Sequence, residues 1–243
     1  MNSGILVKAT LRNKPMVTIF YNKFKWFSRT PGILILFLLI CPNLFAHTVV
    51  GELEKMSKTS AAVLYLFLGY KHIIPLGFDH ILFILSLFLL NPKLKPLLWQ
   101  ATAFTVAHSI TLSLTMFHVI VPSPKLIEPL IAISILYVAL ENIFSKKLGQ
   151  ARIAVVFLFG LVHGMGFASA LGHLGLPENS YLISLVMFNL GVELGQVTII
   201  LSAFFLIGKA FGDKPYYRRY FVIPLSIIIA CIATYWTVQR LFF

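Results

Sequence analysis

The chain has 243 residues, of which 58% are hydrophobic and only 12% carry a formal charge. A soluble globular domain carries about 25% charged residues, so this composition excludes an ordinary soluble protein. It also excludes a disordered chain and, with only two cysteines, a disulfide scaffold. The remaining fold class is an all-α, polytopic bundle of transmembrane helices.

The N-terminal segment, residues 1–46, contains six basic residues followed by an apolar stretch at 31–46. Such a segment is typical either of a secretory signal cleaved after Ala46 or of a first transmembrane helix. Residues 47–60 then form a short outer segment, and residues 61–243 form the membrane domain. The sequence predicts about seven helices, or six if the N-terminal segment is a cleaved signal.

Crossing the hydrocarbon core of a bilayer takes about 20 apolar residues in a helix. Seven apolar runs are read as spans, at residues 31–46, 72–90, 97–121, 126–144, 153–171, 181–208 and 220–243. A shorter run at 61–70 predicts a partial or re-entrant helix that leads into the second span. Pro75 and Gly77 predict a break in this region.

The distribution of basic residues predicts the orientation. Fifteen of the twenty Lys and Arg residues fall in residues 1–30 and in the loops at 91–96, 145–152 and 209–219. By the positive-inside rule these segments are cytoplasmic, so the N-terminus lies inside and the C-terminus outside. The net charge of +12 is then a marker of topology and gives no support for nucleic-acid binding. The expected location is the bacterial inner (cytoplasmic) membrane.

Ionisable side chains inside the predicted spans are the strongest functional signal. Each costs about 2.5–3.5 kcal/mol on insertion scales and usually faces a bundle interior or a cavity. Helix directions place five of them at similar depth, from the midplane to the outer third of the membrane: Asp79, His80, His108, His163 and Glu193. A sixth, His72, begins the span that contains Asp79 and His80. Glu141 lies deeper, nearer the cytoplasmic end.

Neighbouring residues support this convergence. Asn189, Glu193 and Gln196 are spaced to form one polar stripe on a helix face, and Ser109 follows His108 directly. Gly164, four residues after Gly160, allows another helix to approach closely beside His163.

Imidazole and carboxylate ligands together suit a borderline divalent ion such as nickel, cobalt or zinc. We therefore take His80, Asp79, His108, His163, His72 and Glu193 as candidate metal ligands, with supporting roles for Ser109, Asn189, Gln196, Glu141 and Gly164. The alternative is that these groups only form hydrogen bonds between helices, as polar residues in membrane spans often do.

Five segments in order resemble the HupE/UreJ family of bacterial membrane proteins: GYKHIIPLGFDHILF (69–83), AHSITLSL (107–114), EPLIAISILYVALEN (128–142), FGLVHGMGFASAL (159–171) and FNLGVELGQ (188–196). The resemblance implies a nickel or cobalt permease associated with hydrogenase or urease systems. It implies metal-binding roles for His72, Asp79, His80 and His163. Two departures stand out: six residues separate His72 from Asp79 where the family motif has five, and Ala170 replaces an acid of the permease branch.

The leading functional hypothesis is thus a metal permease in contact with membrane lipid. The alternative is an intramembrane zinc-dependent hydrolase, with the same cluster binding Zn²⁺ and Glu193 or Asp79 as general base. A permease needs a polar path from the site to Glu141, whereas a hydrolase needs a closed inner side and an outer or lateral opening. A Ser–His protease, a homo-oligomer and a subunit of a larger membrane complex also remain open.

Overall fold

The computed structural model describes residues 56–146, 148–149, 151–174 and 176–243. Within these ranges the regular structure is entirely helical, which confirms the all-α class. The predicted signal or first span at 31–46 lies outside the described residues, as does most of the outer segment 47–60. Seven helices follow, with bounds Lys58–Ile73 (α1), Phe78–Leu90 (α2), Leu94–Met116 (α3), Pro124–Phe144 (α4), Arg152–Leu174 (α5), Tyr181–Phe211 (α6) and Arg218–Phe242 (α7).

Local sequence accounts for several helix ends. Ser57 caps α1, because its hydroxyl oxygen accepts a hydrogen bond of 3.1 Å from the Ser60 N–H. Pro124 opens α4 at a position where the missing N–H is not needed. A one-turn 3₁₀ helix, Glu178–Ser180, leads into α6. Two π-helical turns interrupt the regular pattern, one at Phe204–Gly208 within α6 and one at Arg218–Val222 at the start of α7.

The break predicted at Pro75 and Gly77 is confirmed: α1 and α2 meet there at a bend of 66°. The predicted bounds around it need correction. The first helix is longer than 61–70 and includes His72 and Ile73, so the run 72–90 is not one helix. Because proline lacks an N–H and restricts the residue before it, the helix ends ahead of Pro75 instead of running through it.

Three helices are long and apolar enough to cross a membrane, namely α4, α6 and α7, and a fourth crossing results if α1 and α2 form one bent span. The chain is therefore a multi-pass membrane protein. By this measure α3 does not qualify, although the sequence predicts a span there, because it carries polar residues such as Gln100, Thr105 and His108. Residues Arg152–Ala168 of α5 are apolar as well, in keeping with the span that the sequence predicts there.

Contacts between helices fix their relative directions. Phe104 lies beside Gly160 and His108 beside Gly164, so α3 and α5 run parallel. Arg218, at the start of α7, donates hydrogen bonds to carbonyls at the end of α4, whereas Arg240, near the end of α7, reaches Glu128 near the start of α4. Helices α4 and α7 are therefore antiparallel. This alternation agrees with the predicted directions of the spans.

Candidate metal centre

Three histidines from three helices converge inside the bundle. His72 lies in the last turn of α1, His80 in the first turn of α2 and His108 in the middle of α3. One ring nitrogen from each can be chosen so that all three lie within 4.8 Å of one another. The ring centroids of His72 and His80 are 4.7 Å apart, and those of His80 and His108 are 6.0 Å apart. We call these three residues the histidine cluster.

His80 and His108 are buried and His72 is partly buried, and one buried nitrogen of each ring lacks a hydrogen-bond partner among the described residues. His108 is fully buried and His80 is 5% exposed. Among the residues that the structure describes, none bonds to Nε2 of His72, His80 or His108. A buried polar atom without a partner costs about 1–3 kcal/mol, so three such atoms on three neighbouring rings call for a ligand.

Asn189 on α6 sets the orientation of His108. The Asn189 amide donates from Nδ2 to the Leu185 carbonyl at 2.9 Å, which leaves its Oδ1 as the atom facing His108 Nδ1 at 3.4 Å. An oxygen can only accept there, so Nδ1 of His108 carries the proton. Nε2, which is buried without a partner among the described residues, then carries a free lone pair, as a metal-binding imidazole must.

His163 on α5 lies next to the cluster but outside the set of three. Its ring centroid is 5.1 Å from that of His80. The Ser134 hydroxyl donates to the Ile131 carbonyl at 2.7 Å and lies 3.0 Å from His163 Nε2. Because that hydroxyl has one proton, it accepts from Nε2–H of His163, and Nδ1 keeps a free lone pair. Nδ1 is buried and has no partner among the described residues.

Phenylalanine rings enclose the histidines on both sides. Towards the predicted cytoplasmic side, Phe83, Phe104 and Phe159 lie one turn from His80, His108 and His163, and the Phe83 and Phe104 rings are 5.1 Å apart. On the other side the Phe167 ring packs at 3.7 Å from the His72 ring and stacks on Phe188 at 5.0 Å. The cluster therefore lies between two aromatic layers.

The predicted carboxylate ligands point elsewhere. Asp79 accepts from Arg240, with 3.1 Å between each carboxylate oxygen and Nη2. Glu193 accepts from the Thr102 hydroxyl at 2.8 Å, and its second oxygen is buried without a partner in the described ranges. Within the part of the chain that the structure describes, only His72, His80 and His108 have ligand atoms close enough together to share one metal ion.

The predicted supporting residues divide between the site and its surroundings. Gly164 lies against the His108 carbonyl and Thr111, and Asn189 contacts His108 directly. Gln196 instead accepts from Thr105 at 3.3 Å, and Ser109 donates to the Thr105 carbonyl at 2.6 Å within its own helix.

Glu141 is remote from the histidines and pairs with a buried arginine. Its carboxylate accepts from Arg152 at 2.6 Å, and the same guanidinium donates from Nε to Gln100 at 3.0 Å. Arg152 is only 4% exposed. Glu141 therefore belongs to a buried polar network at the predicted cytoplasmic ends of α3, α4 and α5.

Among the residues absent from the sequence-based site are Ser134, which bonds His163, and Arg240, which binds Asp79. Arg240 could have been found as the only charged side chain in the predicted span 220–243. Ser134 carries no comparable signal, because a hydroxyl inside a span can bond its own helix backbone.

A cavity of about 530 Å³ opens at the predicted outer end of the bundle. It lies between the end of α3, the start of α4 and the second half of α5. Polar side chains and methionine line part of it, including Thr115, His118, Glu128, Met165 and Tyr181. Towards the opposite end, apolar residues such as Leu87, Leu97 and Ile200 surround a void of only about 10 Å³.

The chain matches the protein-family model described as HupE / UreJ protein over residues 49–240. The matched range covers most of the chain, includes α1 to α6 in full and ends at residue 240 within the last turn of α7. Neither a curated protein nor a solved structure matches this chain.

Proposed function

The chain belongs to the HupE/UreJ family, and we propose that it is a permease for a divalent transition-metal ion, with nickel or cobalt as the expected cargo. The observation that carries this proposal is the group of three buried imidazole nitrogens that lack hydrogen-bond partners among the described residues. Neutral imidazole suits nickel, cobalt and zinc, and the absence of cysteine from the cluster disfavours copper(I).

The cluster needs only modest closure to act as a ligand set. Metal–nitrogen bonds of about 2.0–2.1 Å place two ligand nitrogens of a tetrahedral site about 3.3 Å apart. The present spacing of up to 4.8 Å therefore leaves room for the rings to move inwards. His163 supplies the fourth free lone pair next to His80, and Asn189 and Ser134 hold the tautomers of His108 and His163.

The carboxylates take a different part in this proposal from the one expected from sequence. Asp79 fixes the start of α2 against the end of α7 through Arg240, and Glu193 links α6 to α3 through Thr102. Neither contacts the histidine cluster in this arrangement. The cargo would then be held by imidazole nitrogen alone.

In the permease proposal an aromatic layer separates the histidine cluster from each side of the membrane, and Phe167 and Phe188 form the layer on the outer side. The outer cavity supplies a polar approach, while Phe83, Phe104 and Phe159 close the inner side above the Glu141–Arg152 pair. Release inwards requires this aromatic layer to separate. Phe104 is the central element, because its ring contacts the rings of Phe83, His80 and His163.

The closed inner side also favours the alternative, a zinc-dependent hydrolase. A bound water in such an enzyme needs a nearby general base. The two carboxylates expected for that role are held by Arg240 and Thr102 instead. The permease therefore remains the better-supported function.

Metal binding and uptake by the full-length protein test the proposal. Purified protein should bind Ni²⁺, Co²⁺ or Zn²⁺, and proteoliposomes should take up radioactive nickel or cobalt. His80→Ala and His108→Ala should abolish both, whereas Asn189→Leu should weaken binding about 10–100-fold through loss of ring orientation. His118→Ala is the matched control, because His118 lines the outer cavity and lies outside the cluster.

Three outcomes decide the matter. Uptake lost with His80→Ala but kept with His118→Ala supports the permease. Bound metal without uptake in the wild type supports the hydrolase. No metal binding by folded wild-type protein contradicts both.

A further inference from the structure

A second cavity, of about 640 Å³, lies at the predicted cytoplasmic end of the molecule. Its walls are the α2–α3 connection, the end of α6, and the connection from α6 to α7. None of the clustered histidines lines this cavity, and its lining is rich in lysine. We call it the basic cavity.

Four lysines line the basic cavity: Lys93, Lys146, Lys209 and Lys214. Asp213 is the single acidic residue among its lining residues. The two ion pairs found in the described ranges, Arg152–Glu141 and Arg240–Asp79, involve none of these five residues. The lysine charges are therefore not neutralised by neighbouring carboxylates of the described chain.

Arg218 also lines the cavity, but its guanidinium is already used. It donates to the carbonyls of Asn142, Ile143 and Ser145 at 2.7–3.1 Å, at the C-terminal end of α4. These bonds satisfy carbonyls that a helix end leaves without partners. Arg218 thus has a structural role in the cavity wall, and the lysine ammonium groups are the positive charges available to a ligand.

Tyr217 provides a buried donor in the same wall. It is 5% exposed, and its hydroxyl has no hydrogen-bond partner within the described part of the chain. Burial raises the pKa of Tyr217, so the phenol keeps its proton and can donate. A buried hydroxyl without a partner is costly, which favours an acceptor supplied by a ligand.

Both π-helical turns of the described helices border this cavity. Phe204 and Gly208 belong to the turn in α6, and Arg218 and Val222 to the turn that opens α7. Such turns are rare and are frequent at functional sites, because they cost regular hydrogen bonding. Two π-helical turns at one cavity indicate that the sequence maintains the shape of this cavity at a cost in regular hydrogen bonding.

We propose that the basic cavity binds a phosphate group, held by the lysine ammonium groups and the Tyr217 hydroxyl. Phosphate oxygens match this set, since they accept charge-assisted hydrogen bonds from several donors. The group can come from an anionic phospholipid headgroup, which basic pockets at the cytoplasmic ends of helices attract, or from a soluble phosphate. This site is independent of the metal permease proposal.

The test uses full-length protein in nanodiscs. Binding is measured by native mass spectrometry and by thermal stability, with phosphatidylglycerol, phosphatidylcholine and inorganic phosphate as separate probes. The variants are Tyr217→Phe and the double variant Lys209→Gln/Lys214→Gln. The control is Lys58→Gln/Lys125→Gln, which removes the same charge from residues that do not line the cavity.

The expected result is selective retention of one anionic probe by the wild type and the control. Each lysine removed should weaken binding about fivefold, so the double variant should lose about 25-fold. Tyr217→Phe should weaken binding about tenfold without loss of fold, since it removes one hydrogen bond to a charged acceptor. Preference for phosphatidylglycerol identifies a lipid site, and protection by inorganic phosphate alone identifies a soluble ligand. Equal binding of all probes, or equal losses in the control, overturns the proposal.

Discussion

Asp79 accepts two hydrogen bonds from Nη2 of Arg240, although it directly precedes His80, whose ring belongs to the histidine cluster. Successive residues of an α-helix point about 100° apart, because the helix has 3.6 residues per turn. The first turn of α2 therefore presents the imidazole to the bundle interior and the carboxylate to the end of α7. Two neighbouring residues of one motif thus serve two different contacts.

We predict that Asp79→Asn lowers stability but spares metal binding. Loss of the charged acceptor leaves Arg240 without its ion pair, which should cost about 1–3 kcal/mol in the free energy of unfolding. Nickel affinity, measured by isothermal titration, should stay within about threefold of the wild type. The double variant Asp79→Asn/Arg240→Gln should lose less free energy of unfolding than the sum of the losses in the two single variants, as expected for interacting partners. Loss of nickel binding in a folded Asp79→Asn protein would show instead that Asp79 is a ligand.

The second prediction concerns the close contact of α3 with α5. A Cβ atom at Gly164 would clash with the His108 carbonyl and the Thr111 hydroxyl. Gly164→Ala should therefore push the two helices apart, destabilise the protein by about 1–3 kcal/mol and weaken metal binding. Gly149→Ala is the control, because a Cβ there meets nothing within 4 Å. Thermal unfolding of the two variants should differ clearly, and equal unfolding temperatures would refute the contact.

The third prediction concerns the buried pair of Arg152 and Glu141. Arg152→Met leaves the carboxylate of Glu141 without its cation, which should cost about 3–5 kcal/mol. The double variant Arg152→Met/Glu141→Leu should recover much of this loss, because a buried ion pair can often be replaced by apolar side chains. The measurement is unfolding in a denaturant series. If the double variant is no more stable than Arg152→Met, the pair does not account for the loss.

The fourth prediction concerns pH. Protons and a divalent metal ion compete for the same imidazole nitrogens, so metal affinity should fall as the pH is lowered. Binding measured in two buffers with different ionisation enthalpies should show protons released on metal uptake in acid. In the His108→Ala variant the remaining metal binding should depend less steeply on pH. Affinity that rises in acid would contradict ligation by histidine.

The sequence alone predicts much of this fold, and the reasons are specific. Apolar runs and their basic connections locate α3 to α7, and Pro75 with Gly77 locates the bend between α1 and α2. The membership of His72 in α1 could not be read in this way. The apolar pattern continues through His72, so only the backbone geometry shows which helix carries it.

The sequence places the candidate ligands at one depth, but depth does not give direction around a helix axis. His80 and His108 turn inwards to the same point, whereas Glu193 turns towards Thr102. The partner that holds Asp79 is 161 positions away, beyond any local pattern. Rotation of each helix depends on packing with its neighbours, and one sequence does not specify that packing directly.

The bend between α1 and α2 gives the histidine cluster a mechanical property. His72 ends one helix and His80 begins the next, so two of the three imidazoles stand on opposite sides of a single joint. An ion bound by both His72 and His80 would fix the bend angle of 66°. Straightening the bend would separate the two imidazoles and release the ion. Metal occupancy of the histidine cluster and the angle between α1 and α2 are therefore coupled.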